Sequence, residues 1–302
     1  MPRIAFLGPE GTFAEQAAQS IAADAELIPA ENVASAIDQV RTGQVDAACV
    51  PVENSMEGSV PATLDALVHG ADLIAVREIE LPVRFSVLTR DGVAASDVRT
   101  VISHPHAIAQ VRGWLTANLP GAEIRFSPST AAAAVAVRDK EADAAVCAPL
   151  AAQRYGLAEL ATGVHDVAYA VTRFWQLTLP AKPPAPTGFD RTSIIVQTAD
   201  EPGALAIALG EFGSRGISLT RIESRPTRNR LSEYRFFLDL EGHIAEARVA
   251  DALAALRRRG NDVRFLGSYP RADRVAPQIA DGSTDADFTA ADEWIHRLRN
   301  GD

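Results

Sequence analysis

Short apolar runs recur through roughly the first 180 residues: Ile4 to Leu7, Val45 to Val50, Val98 to Ile102 and Ala142 to Val146. Between them lie alanine-rich stretches of helical period, such as Val33 to Val40 and Ala107 to Leu119. Runs of this kind predict strands buried on both faces, and their alternation with helices predicts an α/β fold with largely parallel sheets. Two of the runs echo each other. Gln44-Val45-Asp46-Ala47-Ala48-Cys49-Val50-Pro51 resembles Glu141-Ala142-Asp143-Ala144-Ala145-Val146-Cys147-Ala148-Pro149, each after an amphipathic helix and each closed by a proline. Two similar lobes with a ligand between them explain the echo; two parallel strands sharing a buried composition explain it equally well.

The pattern breaks at Leu179-Pro180-Ala181-Lys182-Pro183-Pro184-Ala185-Pro186, where prolines deny ladder hydrogen bonds and stiffen the chain into a linker. Beyond it the expected elements are strands at 192–197, 217–224, 233–240 and 262–266 and helices at 204–212 and 245–258, an order of βαββαβ. After Tyr269-Pro270 comes a polar stretch rich in Asp, Ala and Thr, with a short helical segment around Trp294, Ile295 and Leu298. That tail is expected to be mobile or docked on a partner.

Composition narrows the classes of function. With 302 residues, 47% apolar and 23% charged, the chain is of ordinary globular type and long enough for two or so compact units. Lys plus Arg minus Asp plus Glu is 29 − 39 = −10, which argues against a nucleic acid or an acidic membrane surface as partner. The N-terminal apolar run is too short for a signal peptide and no segment is long enough to span a bilayer, so a cytoplasmic protein is expected. Cys49 and Cys147 lie in small-residue strands and read as reduced core residues.

Four polar clusters sit at strand ends, where open α/β sheets bind ligands. The first, Gly8-Pro9-Glu10-Gly11-Thr12, is a glycine-rich turn in which Thr12 caps a helix or offers backbone N–H groups to a carboxylate; it is neither GxGxxG nor a Walker A sequence. The second is Glu53-Asn54-Ser55-Met56-Glu57-Gly58-Ser59. The third is Ser103-His104-Pro105-His106, with Gln110 two helical turns on from Ser103 if a helix starts near Pro105. The fourth, Ser127-Pro128-Ser129-Thr130, is another capped helix start. A fifth feature is Thr172-Arg173-Phe174, a hydroxyl and a guanidinium in an apolar run that begins at Ala168. Polar groups carried inward there need partners.

Metal and hydrolase patterns are missing from the sequence: no HExxH or CxxC accompanies His104 and His106, and there is no GxSxG elbow. No metal and no cofactor is expected. Arg257-Arg258-Arg259 reads as the cationic end of a helix before Gly260.

Together these fragments resemble the prephenate dehydratase family. The matching stretches are Gly8 to Phe13, Pro51 to Ser55, Ser103-His104-Pro105 with Gln110, Ser129 to Ala132 and Thr172 to Phe174. Glu201-Pro202-Gly203-Ala204-Leu205 and Glu223-Ser224-Arg225-Pro226 resemble the signature segments of the ACT domain attached to that family. Ala206 stands where a valine is usual, and His106 stands where a glutamine is common. No chorismate mutase helices precede the first strand, so the resemblance is to the monofunctional members.

The resemblance implies a two-lobed, periplasmic-binding-protein-like catalytic domain over 1–182, a ferredoxin-like ACT domain over 190–270 and a tail over 271–302. It implies decarboxylating dehydration of prephenate to phenylpyruvate, with arogenate dehydration and non-catalytic sensing of aromatic amino acids as alternatives. Thr172 is expected at the leaving hydroxyl, with Glu53 or a water as the other possible proton source. Thr12, Asn54, Ser55, Ser103, Gln110 and Thr130 are expected to position substrate. Strand alternation leaves Arg173 between an ion pair and substrate contact, and puts Phe174 on the side of Thr172, over the substrate ring or in the core. Gly203, Ala204, Leu205, Glu223, Ser224, Arg225 and Pro226 are expected to bind phenylalanine as feedback effector, in a homodimer or homotetramer paired through ACT units.

Overall fold

The computed structural model describes residues 1–22, 24–167, 169–227 and 233–301; Ala168 lies outside them. The chain forms two compact units, one of Met1–Ala71 with Ile79–Leu177 and one of Asp72–Glu78 with Thr178–Asp302.

The first unit is built from two α/β lobes. Lobe 1 contains β1 (Arg3–Leu7), α1 (Phe13–Ile21), β2 (Glu26–Ala30), α2 (Val33–Arg41), β3 (Ala47–Asn54), the short β4 (Gly58–Ser59), α3 (Pro61–Val68) and the end of β5 (Ile74–Pro82). Lobe 2 follows with β6 (Ser86–Thr89), β7 (Thr100–Ser103), α4 (Pro105–Gln110), α5 (Arg112–Asn118), β8 (Glu123–Phe126), α6 (Thr130–Arg138), β9 (Ala144–Cys147), α7 (Leu150–Tyr155) and β10 (Ala158–Thr162). The chain then returns to lobe 1 as β11 (Val171–Thr178). The sheet orders are β2-β1-β3-β11-β5 and, read in the matching direction, β8-β7-β9-β6-β10. In each, three parallel strands are followed by an antiparallel one. Two similar lobes joined by two crossings of the chain make the arrangement of periplasmic-binding-protein type that the family resemblance implied.

The sequence echo now has a physical cause. β3 and β9 hold the same place in their sheets, and each begins just after an aspartate that fastens the start of its parallel neighbour. Asp46 accepts the Arg3 N–H at 2.7 Å, and Asp143 accepts the Arg99 and Thr100 N–H groups, both at 3.0 Å. Such carboxylate bonds to strand-end N–H groups fix register where the ladder has not yet started. The small residues that follow are fully covered by helices on both faces, and burial pushes the Cys49 and Cys147 thiols well above their ordinary pKa.

One expected helix is two. The stretch from Ala107 to Leu119 breaks at Val111, whose backbone leaves the helical region at φ −126° and ψ 11°. Val111 is fully buried in the lobe 2 core with Val101, Ile108 and Leu115, and the Asp166 carboxylate accepts the Gly113 N–H at 2.9 Å to cap the second helix.

The second unit contains β12 (Asp190–Gln197), α8 (Ala204–Gly213), β13 (Leu219–Pro226), β14 (Tyr234–Glu241), α9 (Ala247–Arg258), β15 (Asp262–Pro270) and α10 (Asp285–Asn300). Its four strands form one antiparallel sheet in the order β13-β14-β12-β15, the ferredoxin-like order of elements expected from the sequence. Ile194, Val196, Leu238 and Leu240 pack against Ala208, Phe212, Val249, Ala252 and Leu256 of the two helices. The opposite face carries a buried polar network. Asp239 accepts the Ser193 hydroxyl at 2.7 Å and pairs with Arg221 at 2.9 Å. Gly267, at φ +132°, lets the Ala75 backbone approach so closely that an added Cβ would lie 2.1 Å from the Ala75 oxygen. The tail forms a longer helix than the sequence suggested: α10 has 16 residues and opens with a Thr284–Asp287 capping box. Among the described residues no helix is long and apolar enough to cross a membrane.

Candidate active site

The second strand-end cluster and the Thr172 stretch meet where β3 ends and β11 begins. These strands are antiparallel, with Thr172 opposite Asn54 and Arg173 opposite Glu53. The Asn54 amide donates from Nδ2 to Thr172 Oγ1 at 2.9 Å, while Asn54 Oδ1 accepts the Met56 N–H at 2.8 Å. Because an N–H can only donate, the second bond fixes which end of the amide is oxygen, and hence that nitrogen faces Thr172. The Thr172 hydroxyl therefore receives a hydrogen bond, and its own proton stays available to another acceptor. Ser55 staples the turn to β11: its N–H donates to the Val171 carbonyl at 2.9 Å and its Oγ accepts the Val171 N–H at 3.0 Å. The Thr172 side of the site is thus held by two bonds between turn and strand. Thr172 itself is 9% exposed.

Arg173 turns to Glu53, Nη2 to Oε2 at 3.2 Å, with its guanidinium 5.8 Å from the centre of the Trp175 ring. Of the two roles left open for Arg173, the geometry supplies the ion pair. Phe174 is 2% exposed and packs with Ile4, Phe6, Ala14 and Leu81 in the lobe 1 core, so it supplies packing.

At the first cluster, Thr12 is the N-cap of α1: Oγ1 accepts the Glu15 N–H at 3.3 Å and lies 3.2 Å from the Leu7 carbonyl, to which it donates. The turn already holds a carboxylate of its own. Glu15, fully buried, accepts the Gly11 N–H at 2.6 Å and pairs with Arg154 of α7 in lobe 2. Tyr155, next along α7, donates its hydroxyl to the Glu10 carbonyl at 2.6 Å. Gly11 must be glycine for two reasons, its φ of +80° and the 2.8 Å that would separate an added Cβ from the Tyr155 ring. The expected anion-binding turn is therefore partly occupied by Glu15.

In lobe 2, Ser103 is fully buried and donates to the Val146 carbonyl, joining β7 to β9. His104 caps α4, Nδ1 accepting the His106 N–H at 3.3 Å. Burial lowers the His104 pKa first, the neighbouring His106 lowers it further, and Glu57 opposes both. His106 pairs with Glu57, so the third cluster is tied to the second across the lobes. Thr130 is the first residue of α6, behind the Ser129 cap, and Gln110 ends α4; both are half-buried. Among the described residues no group of three or more His, Cys, Asp or Glu is placed to hold a metal ion.

In the second unit Gly203 is the left-handed N-cap of α8, at φ +83°, with Ala204 and Leu205 opening the helix. Glu223, Ser224, Arg225 and Pro226 end β13, an edge strand. Gln197, Arg235 and Arg225 lie in one row across the sheet, so the Gly203 loop leaves at the same end as β13 finishes.

Glu57, Glu15, Arg154 and Tyr155 were not among the site residues expected from the sequence. Glu15 had a signal, since Thr12-Phe13-Ala14-Glu15 has the spacing of a capping box. Arg154 and Tyr155 had none.

A family model described as prephenate dehydratase matches residues 4–182, and one described as the ACT domain matches residues 192–258. The chain is similar to the prephenate dehydratase of Amycolatopsis methanolica, 57% identical over 304 residues, covering 100% of this chain and 99% of that protein. The crystal structure of the Arthrobacter aurescens prephenate dehydratase in complex with L-Phe superposes with a TM-score of 0.93 at 44% identity, covering 99% of each chain. A second solved structure, of GqqA, described as a novel type of quorum-quenching acylase, superposes with a TM-score of 0.82 at 32% identity, covering 89% of this chain and 97% of that one.

Proposed function

Since the chain belongs to the prephenate dehydratase family, with an ACT domain in its second unit, we propose that the Asn54–Thr172 pair delivers the proton that lets the ring hydroxyl of prephenate leave. The chain is an enzyme of that family's reaction, a hydro-lyase step in phenylalanine biosynthesis. The bond from ring to carboxylate breaks, releasing carbon dioxide, and its electron pair enters the ring. The bond to the ring hydroxyl breaks at the opposite carbon, and the departing oxygen takes a proton to become water. Prephenate dianion and one proton thus give phenylpyruvate anion, carbon dioxide and water. Aromatisation drives the step; the protein must position the dianion and supply the donor.

The observation that carries this reading is the direction of the Asn54–Thr172 hydrogen bond. An N–H donated to Thr172 Oγ1 leaves the hydroxyl proton to face the leaving oxygen and steadies the oxygen that gives it up. The solvent proton counted above then restores the threonine hydroxyl, relayed through water. Glu53, paired with Arg173, acts as a counter-charge that holds the β3–β11 end in place. Ser55, Ser103 and Thr12 act by fixing backbone around the site, Gln110 and Thr130 contact substrate from lobe 2, and Phe174 supports the floor from the core.

The same direction separates dehydration from the acyl transfer named for GqqA. A threonine nucleophile needs a base that accepts its proton. Asn54 presents Thr172 with a donor instead. Turnover of purified protein on prephenate (read as phenylpyruvate), on arogenate (read as phenylalanine) and on an N-acyl amide is the test: fastest turnover of prephenate supports the reading, and Thr172-dependent hydrolysis of the amide overturns it.

The second unit binds phenylalanine between the Gly203 loop and the Glu223 to Pro226 strand end, and that binding inhibits turnover. The Arthrobacter aurescens relative was crystallised with L-Phe, and the two segments lie toward the same end of the sheet here. The chain works as a homo-oligomer paired through ACT units, for which the edge strand β13, with Ile222 49% exposed, offers a surface. Its place is the cytoplasm, which a step of phenylalanine biosynthesis supports.

A further inference from the structure

Two sets of polar contacts join the lobes, and they differ in kind. One is buried at Glu15: Arg154 of α7 grips that carboxylate, while Tyr155 reaches the exposed Glu10 carbonyl, with Gly11 cut back to admit the Tyr155 ring. The other is open to water: Glu57 pairs with His106, with 45% and 57% of their side chains exposed. Breaking the first leaves the Glu15 carboxylate, with no exposed surface, short of its cation. Breaking the second rehydrates both partners at little cost. The contacts thus have the properties of a pivot and a latch.

We propose that Glu57 and His106 are positioning residues of the dehydration site, closing lobe 2 over bound prephenate while the Glu15–Arg154 contact stays made. Each partner is two or three residues from an anchored part of the site. Glu57 lies in the turn that Ser55 staples to β11 and that presents Asn54 to Thr172. His106 lies at the start of α4, directly after Ser103 is fixed to β9 and His104 caps the helix. A pull between the two is therefore delivered to the Thr172 end of lobe 1 and the Ser103 end of lobe 2 without an intervening loose segment. A latch has to be weak, since it must open for each substrate and each product. A half-exposed pair meets that requirement.

The inference rests on the proposed site at Thr172, and the experiment separates the two. His106→Ala and Glu57→Ala, singly and together, are compared with the parent for KM and kcat on prephenate and for melting temperature. Each single variant is expected to raise KM about three- to tenfold, with kcat changed by less than about twofold and melting temperature close to the parent's. The double variant is expected to match the singles, and His106→Gln, which keeps an N–H for Glu57, to restore KM. Additive effects, an unchanged KM, or no rescue by glutamine would overturn the latch and leave the Thr172 assignment standing. Near-parental turnover by Thr172→Val would overturn the site itself.

Discussion

Replacing Asn54 by aspartate tests the proposed polarity of the Thr172 hydroxyl with almost no change of shape. The carboxylate keeps an acceptor for the Met56 N–H, now held by Asn54 Oδ1 at 2.8 Å. It exchanges the donor facing Thr172 for a second acceptor, 2.9 Å from Oγ1 in the parent. Thr172 must then donate to the introduced carboxylate, and the proton meant for the leaving oxygen is engaged elsewhere. A positioned acid contributes on the order of 10²–10⁴-fold, so Asn54→Asp is expected to lower kcat by at least about a hundredfold, or about 2.7 kcal/mol in the barrier. The fold should lose far less. One neutral hydrogen bond, worth about 1 kcal/mol net, is replaced by a charge-assisted one at a partly open position. Phenylpyruvate formation under saturating prephenate, with a thermal melt of the same sample, reads both effects. Thr172→Val is the companion, expected to lose activity to a similar degree. If Asn54→Asp turns over prephenate within about fivefold of the parent while Thr172→Val does not, the hydroxyl matters but its direction does not, and the mechanism drawn from the Asn54 bond is wrong.

Other expectations follow from single features. Gly11→Ala should destabilise the first unit by about 1–3 kcal/mol, because it adds strain at φ +80° and a contact 2.8 Å from the Tyr155 ring; an unchanged melt would contradict the close fit. Asp143→Asn should flatten the acid limb of the stability curve. Burial pushes the Asp143 pKa up, but the Arg99 and Thr100 N–H groups, the Thr100 hydroxyl and Arg90 together bring it below the ordinary carboxylate value. A depressed folded pKa gives stability that is complete above the unfolded value of about 3.9 and is lost as pH falls below it, so the two proteins should differ most near neutrality and converge in acid. Arg225→Ala should weaken inhibition by phenylalanine while leaving turnover in its absence near the parent's. Equal inhibition of the two proteins across a phenylalanine titration would remove β13 from the effector site.

What the sequence made legible was local or repeated. The βαββαβ order of the second unit follows from strand and helix periods alone, and the lobes were foreshadowed by the Asp46 and Asp143 stretches. What it hid depended on residues distant in the chain. The helix break at Val111 depends on Asp166, which reaches back to cap α5. The Gly8 to Thr12 turn looked ready for a ligand carboxylate, and only the fold brings Arg154 to hold Glu15 within it. Alternation left Phe174 between the substrate ring and the core, and only the packed lobe shows it among Ile4, Phe6, Ala14 and Leu81. The length of α10 was also hidden, because its apolar residues remain exposed and leave a weak helical pattern.

The site forms where the repeat between lobes stops. Up to the prolines the two central strands correspond, with equivalent aspartates, small residues and a buried cysteine. β9 ends at Cys147 and turns at Pro149 into α7, which supplies Arg154 and Tyr155 to the pivot. β3 instead runs past Pro51 to Asn54 and doubles back as β4, which pairs with it at Glu53 and Asn54. The antiparallel strands beside them diverge in the same way. β6 brings Ser86 to Thr89, all buried in lobe 2, whereas β11 begins at the open end of its sheet and brings Thr172 to the rim. The shared scaffold gives two lobes of like topology. In the proposed mechanism the extra residues of β3 and the start of β11 give one of them the donor, so that a single substrate is gripped from two sides and protonated from only one.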